Sequence, residues 1–314
     1  MTTSSTPTPT AVPGEVKDRE ATPELKAPKK TAGLGQGRAN WVVKVALLLL
    51  CLLWLIPTIG LLITSFRPAD AAASTGWWTV FANPLDFTQW TIQNYREVLT
   101  ENGMGNAFVN SFAVSLPSTI IPIMIAAFAA YAFTFMEFKG RDVIFVVVVG
   151  LLVIPNQVAL VPLLRIYGDI GINGTFPAVW LAHAGFGMPL AIYLLRNYMA
   201  GLPRAIVESA KVDGASHWSI FWRLIIPMSV PALAAFAIFQ FLWTWNDLLI
   251  ALLFIGSGPN EVVTVNLASL IGSQGQNWQL LTAGAFISMT VPLLVFVSLQ
   301  RYFIRGLTAG SVKG

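Results

Sequence analysis

Six long apolar runs, separated by short polar stretches, dominate the chain. A helix needs roughly 20 mostly apolar residues to cross a hydrocarbon core. The runs that reach this length are residues 45–66, 107–133, 143–164, 176–199, 228–254 and 280–303. The pattern predicts an all-α polytopic membrane protein with six transmembrane helices. Six such runs in 314 residues argue against helices buried in a soluble core. Prolines punctuate the runs at Pro117, Pro122, Pro155, Pro162, Pro177, Pro189, Pro231 and Pro292. Each removes a helical hydrogen bond and predicts a kink or break. The freed carbonyls then need protein or cavity water, which suits a transport pathway better than a passive anchor. Proline is also simply more frequent in membrane helices, so this support is slight.

The stretches between the runs are read the same way. Residues 1–40 are rich in Thr, Ser, Pro, Ala and Lys. Such a segment buries too little surface to offset the entropy of ordering and predicts a disordered tail. Gly33, Gly35 and Gly37 superficially resemble a phosphate loop, but no strand precedes them and no Gly-Lys-Ser/Thr follows. The first apolar run is not a cleavable signal, because it exceeds the roughly 7–15 residues of a signal core. Residues 67–106 carry Trp77, Trp78, Trp90 and Tyr95, aromatics of the kind that anchor at a lipid–water interface.

Composition confirms the membrane reading: 55% of residues are apolar and 11% charged, against about 25% charged in soluble domains. Charge adds an orientation. With six spans, both termini share one side with the loops after spans two and four. That side holds all of the 19 Lys and Arg except Arg67, Arg96 and Arg165. Positive residues mark the cytoplasmic face, so both termini are expected inside. Topology thus accounts for the net charge of +4, and no basic face interleaved with aromatics points to nucleic acid. The single Cys51 allows no disulfide framework or thiol metal site.

The most informative polar stretch follows the fourth run: Glu208-Ser209-Ala210-Lys211-Val212-Asp213-Gly214-Ala215, and then Leu224-Ile225-Ile226-Pro227. Pro203 suits a first helical position, and Gly214 suits the left-handed residue that ends a helix. Ser216 suits the cap of a second helix running through Trp218, Phe221 and Trp222 to Pro227. The residues predict a helix-turn-helix at the membrane surface. Small residues Ser209, Ala210, Gly214 and Ala215 leave room for a partner to approach closely.

The spacing E-x-A-x3-G followed by apolar-x-apolar-Pro resembles the cytoplasmic "EAA" loop of binding-protein-dependent ABC import permeases. Ser209 stands where that family usually has Ala, and Leu224 and Ile226 replace the usual Ile and Leu. The tail Arg305-Gly306-Leu307-Thr308-Ala309-Gly310-Ser311-Val312-Lys313-Gly314 looks like that of maltose-type G subunits. Agreement extends to Asn110-Ser111, Tyr131-Ala132-Phe133, Gly140-Arg141 and Gly171-Ile172-Asn173-Gly174-Thr175, and covers about residues 45–314.

The resemblance implies an ABC type I importer permease fold over residues 41–314, with a coupling loop at 200–227 and an ATPase-contacting tail at 306–314. It implies coupling roles for Glu208, Ser209, Ala210, Asp213, Gly214, Ala215, Pro227, Gly306, Gly310, Lys313 and Gly314. It also implies three partners: a second permease subunit, a cytoplasmic ATPase dimer and an extracytoplasmic sugar-binding protein. ATP and Mg would sit on the ATPase, so no cofactor is expected on this chain. The implied cargo is a di- or oligosaccharide, leaning to α-glucosides, malto-oligosaccharides or a trehalose-like sugar. The 256–279 loop, with Asn266 and the glycines Gly272 and Gly275, matches the position of the "scoop" that probes the binding protein; a plain connecting loop is the alternative.

Inside the runs, Asp247 is the only carboxylate well within an expected span. Intramembrane charge costs about 2.5–3.5 kcal/mol on insertion scales and is functional by default. With Trp245 and Asn246 beside it, it is a substrate-pathway candidate, or else a hydrogen-bond clamp between helices. Gln157 is a candidate of the same kind. His183 is expected to hydrogen-bond a neighbouring helix rather than hold a metal, since His217 is the only other histidine. The alternative to an ATP-driven importer is a proton- or sodium-coupled secondary transporter, which would need intramembrane relays.

Overall fold

The computed structural model describes residues 36–270 and 277–309, with side chains placed for residues 41–270 and 277–298. Among the described residues there are thirteen α-helices, three short 3-10 turns and one π-helix. Two units are distinguished, Met1–Trp54 and Leu55–Gly314. The described part of the first is the front of helix α1 (Gln36–Ser65). That helix begins inside the stretch expected to be tail: residues 36–40 are helical, and residues 1–35 lie outside the described residues.

In the second unit, α2 (Ala69–Ser74) and α3 (Gln93–Thr100) flank two 3-10 turns. Arg67 is buried there, its guanidinium donating to the Thr75 carbonyl at 2.9 Å and to the Thr75 hydroxyl. Burial among neutral acceptors lowers the Arg67 pKa from its usual value. Asn94 Nδ2 donates to the Ser65 and Arg67 carbonyls, each at 2.9 Å. These bonds tie the end of the aromatic segment back to the end of α1.

Four more long helices follow α1. They are α4 (Met104–Phe135), α7 (Phe176–Ala200), α10 (Ile226–Trp245) and α13 (Trp278–Ala309). Pro117 and Pro122 in α4, Pro189 in α7, Pro231 in α10 and Pro292 in α13 all lie within continuous helix, contrary to the breaks expected of them. Small residues bring α4 and α7 together: Ala126, Ala127 and Ala130 of α4 and Ala191 of α7 are fully buried in one cluster. Small side chains let membrane helices approach closely where lipid supplies no hydrophobic drive. Helix α10 packs against both.

The third span departs from expectation. In place of one helix over 143–164, α5 (Arg141–Gly150) runs through a 3-10 turn to Val153, and α6 (Asn156–Asp169) starts afresh, bent by 99°. Pro155 is the cause: Ile154 before it is extended at ψ 121°, as the proline ring demands. Neither half reaches the roughly 20 residues of a simple crossing. Among the described residues there are therefore five helices long and apolar enough to span, or six when the bent pair counts as one.

The fifth span is displaced as well. It was expected over 228–254, but α10 stops at Trp245, and α11 (Leu249–Phe254) is a separate short helix. At its other end, α8 (Arg204–Val212) precedes α9 (His217–Ile220), and α9 continues into α10 through a five-residue π-helix, Phe221–Ile225. The helix expected to end at Pro227 instead carries through it, giving one 29-residue span, His217–Trp245. The π turn lies just ahead of Pro227, where the missing N–H already interrupts the α ladder. Helix α12 (Val263–Ser269) follows α11 and packs on α4 and α13.

Candidate functional site

The loop between α7 and α10 is built around a glycine. The Ala215 N–H donates to the Ala210 carbonyl at 2.9 Å, and the Gly214 N–H to that of Lys211 at 3.0 Å. This pair of bonds is the Schellman termination, which needs a left-handed residue; Gly214 has φ 79°. The Ser216 hydroxyl then caps α9, accepting from the Ser219 N–H at 3.3 Å. Pro203 is the residue before α8, one position earlier than expected.

Glu208, Ser209, Asp213 and Gly214 are exposed, Ala210 and Ala215 are half-buried, and Pro227 is exposed on α10. A Cβ added at Gly214 would meet nothing within 4 Å. The close packing expected around this turn is thus not supplied by the described residues. Behind the exposed edge the loop is firmly seated. Val207 of α8 and Ile220 and Phe221 beyond it are buried in the same cluster as the α4–α7 alanines. The Tyr131 hydroxyl and His217 Nδ1 are 2.8 Å apart, and the rings of Phe128 and Phe221 stack at 4.5 Å. Helix α9 and the π turn after it are thus in direct contact with α4. Between α8 and the α4–α5 turn lies a cavity of about 270 Å³, lined by Glu137, Arg141, Arg204, Glu208 and Lys211 among others.

The Tyr131–His217 contact joins residues 86 apart and could not be inferred from spacing. Of the tail residues, Gly306 lies in α13, while Gly310, Lys313 and Gly314 fall outside the described residues. Gly272 and Gly275 also fall outside them. Asn266, in the same loop, is buried and donates to the Asn102 carbonyl at 2.8 Å and to Glu261 Oε1 at 2.7 Å. Its amide holds the loop to the start of α4.

The four pathway candidates are not brought together. Gln157 is exposed on α6. Trp245 is 2% exposed, with its ring against Phe108, Phe112 and Phe241 and its indole N–H donating to the Ser288 carbonyl at 3.2 Å. No face of it remains for a ligand. Asn246 is exposed and donates to the Leu242 carbonyl at 2.7 Å, closing the end of its own helix.

Asp247 does not lie within a span but in the break between α10 and α11. Its Oδ2 accepts from the Ile250 and Ala251 N–H groups at 2.8 and 3.2 Å, and lies 3.7 Å from His183 Nε2. Thr264 donates to its backbone carbonyl at 2.6 Å. The geometry is that of a clamp: the carboxylate caps α11, and the backbone carbonyl of the same residue holds Thr264 of α12. Asp247→Ala is accordingly expected to cost about 0.5–2 kcal/mol as a lost cap, with Asp247→Asn milder. Thermal unfolding of the purified protein checks this; an unchanged midpoint for the alanine variant would contradict the clamp.

One polar residue escaped the sequence reading. Gln240 is fully buried in α10 and donates through Nε2 to the carbonyls of Ser118 and His183 at 3.2 and 3.3 Å. As the one amide within an apolar 20-residue helix, it carried the signal that intramembrane polar groups carry.

Residues 122–309 match the family described as "Binding-protein-dependent transport system inner membrane component". The chain is 56% identical to the osmoprotective compounds uptake permease protein GgtD of Synechocystis, over 86% of this chain and 91% of that one. It is 44% identical to the alpha-glucoside transport system permease protein AglG of Rhizobium meliloti, over 88% and 97% of the two chains. Its fold matches a chain of a bacterial ABC transporter involved in the import of the acidic polysaccharide alginate, with TM-score 0.70, 20% identity, and coverage of 85% and 97%. The matched region takes in the 208–215 loop and every long helix after the first apart from residues 104–121 of α4, and the chain is a member of this family of binding-protein-dependent inner-membrane transport components.

Proposed function

We propose that the chain is one permease subunit of an ATP-driven importer that carries a di- or oligosaccharide, of the α-glucoside class, across the cytoplasmic membrane by alternating access. The observation that carries this reading is the loop at 208–215. Its edge is exposed and its back is locked to the packed α4–α7 pair. That is the construction expected of a handle moved by a separate protein. The family's dependence on a binding protein and the identity to an alpha-glucoside permease support the cargo and the donor. The partners are a second permease subunit, a cytoplasmic ATPase dimer that holds ATP and Mg, and an extracytoplasmic sugar-binding protein. Both termini and the 208–215 loop face the cytoplasm, in line with the placement of Lys and Arg.

ATP binding closes the ATPases and draws the loops together, and the helices rock to open outward and receive sugar. Hydrolysis returns them to the inward-facing state. Coupling is reciprocal, so docking of loaded binding protein favours the ATP-closed state. The proton- or sodium-coupled alternative rested on Asp247 as an intramembrane carboxylate, and that residue caps a helix. The test is mild-detergent purification from native membranes, with mass spectrometry of the co-purifying chains and an ATPase assay. An ATPase, a second permease and a sugar-binding protein are expected, with hydrolysis stimulated by an α-glucoside. A lone protein without nucleotide hydrolysis would overturn the proposal.

A further inference from the structure

We propose that this subunit carries its own intramembrane subsite for one neutral sugar ring, at the break in the third span. The proposal rests on the oligosaccharide reading above. A cavity of about 240 Å³ opens where Pro155 interrupts the span. Asn156 borders it from α6, Phe186 and Gly187 from α7, and Phe239, Gln240 and Trp243 from α10. None of the residues that line it is charged. Pockets for drug-sized ligands run to about 300–1,000 Å³, so this one holds a single ring rather than a chain.

Gln240 gives the site its polarity. Its carboxamide is oriented by the two carbonyls that accept from Nε2, those of Ser118 and His183. Oε1 is buried and has no donor among the described residues. A buried acceptor left unpaired is costly, and since Gln240 lines the cavity, a small turn of its carboxamide would bring Oε1 to a ligand hydroxyl. Gly187 makes the arrangement possible. A Cβ at that position would lie 2.6 Å from Gln240 Oε1 and 2.8 Å from Nε2, so any other residue would push the carboxamide aside. Phe186, Phe239 and Trp243 supply the aromatic walls.

A pyranose ring matches this chemistry: its C–H faces pack on aromatic rings, and its hydroxyls donate to an amide oxygen. The neutral lining disfavours an anionic sugar, whose charge would find no partner in the cavity. None of Gln157, Trp245, Asn246 and Asp247 lines the cavity.

The test uses the intact complex in proteoliposomes with its binding protein, and maltose, maltotriose and trehalose as probes. Sugar translocated and ATP hydrolysed are measured together. Loss of a subsite lets hydrolysis proceed while sugar slips back, whereas loss of structure lowers both in step. Phe239→Ala, Trp243→Ala and Gln240→Leu are each expected to reduce sugar moved per ATP about fivefold, with stimulated hydrolysis retained. Phe239 is 53% exposed, so its variant remains informative should the Gln240 variant fail to assemble. Wild-type sugar-to-ATP ratios in Phe239→Ala and Trp243→Ala would overturn the subsite alone. A wild-type complex that moves none of the three sugars would overturn the oligosaccharide reading, and the subsite with it.

Discussion

Gly214→Asp is expected to abolish ATP-driven uptake while leaving the protein folded in the membrane. The residue has φ 79°, a conformation that Asp and Asn adopt more readily than other L-residues, as isolated positions. The turn therefore survives at a backbone cost of about 1–2 kcal/mol or less. Among the described residues, chain neighbours apart, no atom lies within 4 Å of the site of the added Cβ, so the substitution introduces no clash there. Any large effect must then come from a partner that approaches the turn. We expect co-purification of the ATPase to be lost and uptake to fall by at least about tenfold, the equivalent of 1.4 kcal/mol of coupling. Gly214→Asn serves as a companion, sharing the backbone tolerance without the charge. Normal uptake and normal ATPase recovery in the aspartate variant would remove the loop from the coupling mechanism.

Trp245→Ala is expected to have the largest effect on stability. The side chain is 2% exposed and lies against Phe108, Phe112, Phe241 and Val291, joining α10 to α4 and α13. Truncating a buried Trp typically costs about 3–5 kcal/mol, through lost contacts and the cavity left behind. Inside a bilayer the lost packing is the larger part, because lipid is as apolar as the core. Trp245→Phe retains most of the contact and forfeits the hydrogen bond to Ser288, worth about 0.5–1.5 kcal/mol. Thermal unfolding in detergent separates the two: a large drop for alanine and a small one for phenylalanine. Equal midpoints for Trp245→Ala and the parent would show that α10, α4 and α13 do not depend on this contact. Reduced transport with unchanged stability would return Trp245 to the substrate pathway.

The two substitutions probe opposite kinds of residue. Gly214 is exposed, and among the described residues nothing beyond its chain neighbours lies within 4 Å of a Cβ built there, so its importance is assigned to another molecule. Trp245 is enclosed by its own chain, so its importance is internal. Both stand in polar or aromatic stretches that invite a functional reading from sequence, and only their surroundings separate them.

The sequence alone was enough for the membrane class, the positions of the second and fourth spans, and the cap-turn-cap grammar of the 208–215 loop. Each of these is a local matter. Span length follows from the thickness of the hydrocarbon core, and Gly214 and Ser216 act on bonds within a few residues of themselves. Tertiary structure decided the rest. Of the prolines within the apolar runs, only Pro155 breaks its span, while Pro117, Pro122, Pro189, Pro231 and Pro292 are carried in continuous helix. Neighbouring helices and local rewinding re-satisfy or tolerate a proline's lost bond, and a single sequence does not say which neighbours are present. Asp247 appeared to be a charge inside a span, yet it became a helix cap because α10 stops two residues earlier. Gln240, overlooked in an apolar helix, gained significance only from what faces it: two carbonyls that orient its amide and a glycine that leaves room for its oxygen. Contacts of this kind join residues 57 and 122 positions apart. They depend on which faces of three helices meet, a choice that packing makes and that the order of residues along one helix does not record.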